Sequence, residues 1–317
     1  MLPSKRTATV ISLSTALMLA VVKLLGGIAT GSVSVMASAV DSILDIGSST
    51  LNYFAIKKSE QPPDRDHRYG HGKFESLASL LQSILISLSG LYILYEAYKR
   101  FADDSEVHNI EGGIYVMLFS LAVTLALVVF LRAVARKEES SILKAESLHY
   151  EIDLLTGVGI LAGLLLVKVT GINAIDPLIS VLIALKTIYS AFGLGKEVSN
   201  DLLDKALDPE DMQKIDTIIK RYGKVIANGH HVRSRKGGTE KFVDMHIQVN
   251  PDLTVAEAHM IADMIEKEIS ETLGGADVQI HVEPCDDTCG TNGACRLSSE
   301  NIKDEIKKLK KREGANQ

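Results

Sequence analysis

Tryptophan is absent from the 317 residues, cysteine occurs only 3 times, and aromatic residues make up 5%. The three cysteines, Cys285, Cys289 and Cys295, lie together near the C-terminus. An odd number in one short segment excludes a disulfide framework as the basis of the fold. Their C-x₃-C-x₅-C spacing contains no C-x₂-C pair, so it does not signal a zinc ribbon. They read as auxiliary ligands for a soft metal or as reduced spectators. No basic stripe interleaved with aromatics is present and the net charge is −6, so no nucleic-acid partner is expected. The apolar run after Lys5 and Arg6 lacks a small-residue cleavage site, which argues against a cleavable signal.

Apolar residues are what the chain has in excess. They make up 46% of it, and the mean hydropathy is +0.14. They cluster before Ser199, while the last third is polar with ordinary amphipathic patterning. This composition predicts a membrane domain followed by a soluble one. Six stretches are long enough to cross a bilayer, which takes about 20 mainly apolar residues each. They are 7–30, 32–56, 75–98, 113–134, 142–169 and 174–194. Backbone groups in lipid must be paired within their own segment, so all six should be helices.

Charge in the loops orients these spans. Lys57, Lys58, Arg65, Arg68 and Lys73 lie between the second and third, and Arg132, Arg136, Lys137 and Lys144 flank the link from fourth to fifth. On the other side, Lys99 and Arg100 are diluted by Asp103, Asp104 and Glu106. The positive-inside bias predicts that both termini are cytoplasmic.

After Lys196 the periodicity changes. Residues 209–222 read as an amphipathic helix, 229–235 and 240–249 as strands joined at "KGG", 254–273 as a helix, and 276–282 as a third strand. The order helix–strand–strand–helix–strand makes a small α+β layer fold with helices on one face of a sheet. The expected domains are 1–198 in the membrane, a linker 199–208, a metal-binding α+β domain 209–284, and a Cys-containing charged tail 285–317. Within the tail, 287–293 reads as a polar loop and 298–312 as a short exposed helix or disordered segment.

Ionisable residues interrupt the apolar spans at regular spacing. "DSILD" in the second span places Asp41 and Asp45 one helical turn apart on one face, and "HYEID" in the fifth does the same with His149 and Asp153. If the two helices are neighbours, three carboxylates and one imidazole converge, the number of ligands a tetrahedral Zn²⁺-like ion takes. Unneutralised carboxylates in lipid are costly, so such a site holds either a cation or protons. The structural alternative is an ion pair with Lys23 of the first span. Glu146, towards the cytoplasm from His149, could line a path to the site, and Glu151 points elsewhere.

The loop after the second span reads "DRDHRYGHGKFE". Asp64, His67 and His71 offer a carboxylate and two imidazoles, with Gly70 and Gly72 permitting tight bends. A solvated polar loop is the alternative. Of the chain's 9 histidines, five lie in the soluble domain, His230, His231, His246, His259 and His281. His230, His246 and His281 fall on successive strands, and Glu283 shares the strand face of His281. Imidazoles with a bridging carboxylate suit zinc and similar ions.

In combination, "DSILD", "HRYGHGK", "HYEID" and the αββαβ domain with its "AHMIADMIE" helix resemble the cation diffusion facilitator family of divalent-metal transporters, in particular its bacterial zinc/iron-efflux members. The resemblance runs from the first span to about Pro284. It implies six transmembrane helices followed by a ferredoxin-like αββαβ cytoplasmic domain, in a homodimer in the inner (plasma) membrane. It implies efflux of a divalent cation in exchange for external protons by alternating access, and no enzymatic activity. Asp41, Asp45, His149 and Asp153 would form the transport site, and Asp64, His67 and His71 the loop site. His230, His246, His259 and His281, with Glu283 where relatives carry Asp, would form a binuclear site at the dimer interface. Zn²⁺ would be substrate and also a regulatory or structural ion. Lys73 would join a charged interlock with Asp201 or Asp204. One nitrogen and three carboxylates also admit Cd²⁺, Fe²⁺, Co²⁺ and Mn²⁺. A metal-gated channel and a non-transporting membrane metal sensor are the rival readings.

Overall fold

Helices account for every described element up to Leu202. The computed structural model describes residues 3–30, 33–103, 114–170, 172 and 174–285, together with Ile302, Asp304 and Glu305. The six long helices are α1 (Lys5–Thr30), α2 (Val33–Ser59), α3 (Lys73–Asp103), α4 (Ile114–Lys137), α5 (Ser141–Thr170) and α6 (Ile175–Leu202). Four are long and apolar enough to cross a membrane by length and composition: α1, α3, α4 and α6. The remaining two, α2 and α5, carry the ionisable pairs. The loop acids Asp104 and Glu106 lie outside the described residues.

Several hydroxyls in these helices are satisfied within their own helix. Thr9 Oγ1 donates to the Lys5 carbonyl at 2.9 Å, Ser79 Oγ to that of Glu75 at 2.7 Å, and Ser87 Oγ to that of Ser83 at 2.9 Å. A hydroxyl that returns to its own helix needs no water. Many large apolar side chains face outward, among them Leu25, Ile28, Leu44, Leu88 and Leu182. Such a continuous apolar exterior suits lipid rather than water. Lys57 and Lys58 close α2, and Arg136 and Lys137 close α4, where a cation complements the helix dipole.

Helix α3 lies along α6, α1 along α2 and α4 along α5, and α5 also touches α6. Gly90 lets α3 approach α6: a Cβ there would lie 2.8 Å from Ile188 Cγ1 and 3.4 Å from the Ala184 carbonyl oxygen. Small residues at such crossings let backbones come close where no hydrophobic force drives them together.

The second compact unit starts at Leu203. Helix α6 runs to Leu202, so residues 199–202 of the expected linker are helical. The unit comprises α7 (Pro209–Arg221), β1 (Asn228–Gly237), β2 (Glu240–Val249), α8 (Val255–Thr272) and β3 (Asp277–Pro284). The sheet order is β1-β2-β3, with β1 antiparallel and β3 parallel to β2. A parallel return needs a crossover, which α8 supplies. Val243, Met245, Ile247 and Val249 alternate along β2 and are buried with Ile215 and Ile218 of α7 and Ile261, Ile265 and Ile269 of α8. The period of two leaves Asp244, His246 and Gln248 on the opposite face. A capping box starts α8, Thr254 Oγ1 accepting from the Glu257 N–H at 3.3 Å while Glu257 Oε2 accepts from the Thr254 N–H at 2.9 Å. The helix–strand–strand–helix–strand order is the one the periodicity predicted.

Of the tail, the loop 287–293, Cys289 and Cys295 lie outside the described residues. Cys285 is disulfide-bonded, contrary to the reduced or metal-holding thiol expected. The expected exposure of the tail fails at Ile302, which is fully buried in the core of the soluble unit, its sec-butyl side chain among apolar neighbours there.

Candidate metal sites

Helices α2 and α5 bring part of the predicted membrane cluster together. His149 Nε2 lies 2.9 Å from Asp45 Oδ1 and 3.7 Å from Asp153 Oδ2. One ligand atom from each residue lies within 4.8 Å of the others. His149 and Asp153 sit one turn apart on α5, so both point the same way, and Asp45 meets them from α2. Asp41 is exposed and stands outside this group. Lys23 donates to Ser42 Oγ at 2.8 Å. One nitrogen and two carboxylates are donors of the kind that could hold a divalent ion.

Glu151 points away from the cluster, as expected, and is gripped by Arg132 of α4 and by Lys186 of α6, the latter at 3.1 Å. Glu146 is buried and accepts hydrogen bonds at Oε1 from Ser12 Oγ and Ser49 Oγ, both at 2.8 Å.

In the loop, Asp64, His67 and His71 converge. His71 Nε2 lies 3.2 Å from Asp64 Oδ2 and His67 Nδ1 lies 3.5 Å from Asp64 Oδ1. Asp64 Oδ1 also accepts the N–H groups of Asp66 and His67 at 2.9 and 2.7 Å, which locks the turn. The N–H of His67 first, with Asp66 and the two imidazoles, holds the Asp64 carboxyl below its usual range. His71 is buried, its Nδ1 lies 3.3 Å from the Gln61 carbonyl oxygen, and its Nε2 has no hydrogen bond. With Nδ1–H donated to that carbonyl, Nε2 would offer its lone pair on the side of Asp64, the orientation usual in a metal-binding imidazole. Gly70 adopts φ 78°, the left-handed turn the loop required; Gly72 does not use that freedom.

The soluble site is written across the sheet. His230 pairs with His246 in the β1–β2 register and His246 with His281 in the β2–β3 register, so three imidazoles form one row on the open face. Glu283 reaches back along β3: Oε1 lies 2.8 Å from His246 Nδ1 and 4.0 Å from His281 Nε2, and Oε2 lies 3.2 Å from His230 Nε2. The hydrogen bond with His246, followed by the nearby imidazoles, holds the Glu283 carboxyl below its usual range. His230 Nδ1 is buried without a partner. His230, His246 and Glu283 form the tightest group. His259 is exposed on α8 and is not part of it.

His231 was left out of the predicted site, yet its ring centroid lies 5.0 Å from that of His230 and 5.3 Å from that of His246. Alternation would turn it to the other face. A register shift between His230 and Arg233, with His231 at φ 50°, returns it to the row. The doublet "HH" was the signal, but a bulge is not legible in alternation.

Lys73 Nζ donates to the Leu202 carbonyl at 3.5 Å, and Asp204 lies 3.6 Å from Arg235 Nη1.

Residues 9–203 match the cation efflux transmembrane domain, and residues 207–285 match the cytoplasmic domain of cation efflux proteins. The chain is 38% identical over 277 residues to the cation-efflux pump FieF of Pectobacterium atrosepticum, covering 87% of this chain and 92% of that protein. It is 37% identical over 266 residues to FieF of Yersinia enterocolitica, covering 84% and 88%. Among solved structures, the metal-bound C-terminal domain of the CzcD transporter from Thermotoga maritima is 34% identical, covering 24% of this chain and 87% of that one, with a TM-score of 0.23.

Proposed function

The chain belongs to the cation efflux family, and from that premise we propose that it exports Zn²⁺ in exchange for protons, with Asp45, His149 and Asp153 as the transport site. The family's work is transport, not catalysis. The observation that carries this reading is the 2.9 Å contact between His149 Nε2 and Asp45 Oδ1. Whichever residue owns it, one proton lies between those two atoms, and it must leave before a metal can take both. Asp41 completes the ligand set after a small rotation of α2. Fe²⁺, Co²⁺, Cd²⁺ and Mn²⁺ are admitted by the same donors.

All six long helices cross the inner membrane, with both termini in the cytoplasm. Asp64, His67 and His71 hold a second ion. The row of His230, His246 and His281 with Glu283 holds regulatory or structural metal at the interface of a homodimer, to which the other copy brings the exposed His259. Metal there and metal in the membrane then influence one another reciprocally. Where relatives carry Asp, the longer Glu283 still reaches both His230 and His246.

The test is uptake into proteoliposomes that enclose a metal-sensitive dye, under an imposed pH gradient, with each metal measured side by side. Undiminished uptake by Asp45→Ala or Asp153→Ala would sink the site assignment. Flux indifferent to the gradient would mark a channel instead.

A further inference from the structure

Glu146 is a carboxyl that the transport site does not use. It lies three residues before His149 on α5, about 4.5 Å along the axis towards the cytoplasmic end, and is 1% exposed. Its two oxygens are treated unequally. Oε1 accepts from Ser12 Oγ of α1 and Ser49 Oγ of α2, both at 2.8 Å. Oε2 is buried with no hydrogen bond. Asn52 Nδ2, one turn beyond Ser49, is also buried without a hydrogen bond and faces the carboxyl. Ser49 Oγ further lies 3.2 Å from the Tyr150 hydroxyl.

An ionised carboxylate presents about four acceptor sites, and leaving one oxygen bare in a dry interior is costly. A proton on Oε2 removes that cost. An amide suits both states, since its NH₂ donates to a carboxylate and its carbonyl accepts from a carboxylic acid. Among the described residues, no lysine or arginine forms an ion pair with Glu146. Lys5 of α1 is paired with Glu75 of α3 at 3.0 Å, Arg132 of α4 and Lys186 of α6 with Glu151, and Lys144 with Glu197 of α6. From α1 and α2, Glu146 is faced by Ser12, Ser49 and Asn52, none of which titrates. On its own helix it is faced by His149 and Tyr150.

We propose that Glu146 carries an exchangeable proton on Oε2 and releases it when a divalent cation occupies the neighbouring Asp45–His149–Asp153 cluster. The inference rests on the exchange reading above and adds one proton to those displaced from the ligands. Two positive charges arrive for the one proton that leaves the His149–Asp45 contact, and the net gain of positive charge favours ionisation. The Oε2–H bond breaks, its electron pair stays on Oε2, and the proton passes to water on the cytoplasmic side. Ser12 and Ser49 keep holding Oε1, and Asn52 turns its NH₂ to Oε2. After the metal leaves outward, a proton entering through the emptied cluster re-forms Oε2–H. Glu146 touches no metal and acts as a proton carrier.

The experiment counts protons. Zn²⁺ is titrated into the full chain in detergent by calorimetry, in buffers of different protonation enthalpy. Ions at the loop and soluble sites release the same number in each variant and cancel. Glu146→Gln should release about one proton fewer per Zn²⁺ bound in the membrane cluster, and its uptake into proteoliposomes should respond less steeply to an imposed pH gradient. An unchanged proton count overturns the proposal. If Glu146→Gln does not fold, Ser49→Ala decides: with one donor fewer for the carboxylate, release should move to higher pH, and an unmoved profile overturns the proposal. A wild-type chain that releases no proton on binding Zn²⁺ overturns the exchange reading itself, and the role of Glu146 with it.

Discussion

His149 on α5 and Asp45 on α2 are joined through Nε2 and Oδ1 at 2.9 Å, a hydrogen bond that holds the two helices together at this point. On the proposed reading, a metal would replace its proton. Asp45→Asn keeps a hydrogen-bonding group of the same size but removes the charge and one good ligand atom. Zn²⁺ affinity of the membrane cluster should fall by at least roughly 10–100-fold, the range found even for partners behind a ligand. Equilibrium binding with the loop and soluble histidines intact reads this directly.

The loop site should depend on pH through Asp64. Its carboxyl is held below the ordinary 3.8, chiefly by the His67 N–H. A depressed carboxyl contributes order above its ordinary value and loses it as pH falls through the depressed one. The Asp64 carboxyl carbon resonance should therefore show its own protonation step only below 3.8. A protonation step of that carboxyl above 3.8 would contradict the turn geometry.

At the soluble site, Glu283 spans His230 and His246 with its two oxygens. Glu283→Gln keeps the span and removes the negative charge. Metal affinity of the row should drop by on the order of 10–100-fold, while Asp45-dependent transport persists at low metal. Loss of transport to the level of Asp45→Ala would show that the two units are coupled more tightly than proposed.

Asp211 ties α7 to β2. Its Oδ2 lies 2.9 Å from Lys241 Nζ and its Oδ1 3.0 Å from Lys214 Nζ. Burial pushes this carboxyl up, but the two ammonium groups outweigh it and its value ends below 3.8. The pair therefore stabilises the soluble unit above pH 3.8, and the contribution fades as pH falls through the lowered value. Asp211→Asn should cost about 1.5–3 kcal/mol at neutral pH and progressively less as pH falls below 3.8, read from urea unfolding of the full chain followed in the soluble unit.

Gly90→Val tests the α3–α6 contact. A Cβ alone would lie 2.8 Å from Ile188 Cγ1 and 3.0 Å from Thr187 Cγ2, and valine adds two methyl groups. Overpacking of this kind costs about 1–3 kcal/mol. The variant should lose thermal stability in detergent, and Ile188→Ala should restore part of it.

Much of this protein was legible in the chain itself. Long apolar runs predict helices because lipid leaves the backbone no other partner, and the change from helical to strand period near residue 228 predicts the αββαβ order. The spacing of "DSILD" and "HYEID" places pairs of ligands on one face each, and strand alternation places Glu283 beside His281. These are local consequences of 3.6 and 2 residues per repeat.

Tertiary structure decided what depends on two elements meeting. Asp45 rather than Asp41 faces His149, because the rotation of α2 about its axis is set by packing and not by spacing. Ser12 and Ser49, 37 residues apart in the chain, meet on one oxygen of Glu146, and a register shift swings His231 back to the row of imidazoles. Ile302 is buried although its segment is among the most charged in the sequence, because one side chain can dock in a core while Asp304, two residues on, stays exposed. The sequence alone determined which residues could bind a metal. Only the fold selected which ligand atoms come within reach of one another, since distance in space is fixed by long-range packing that no local period encodes.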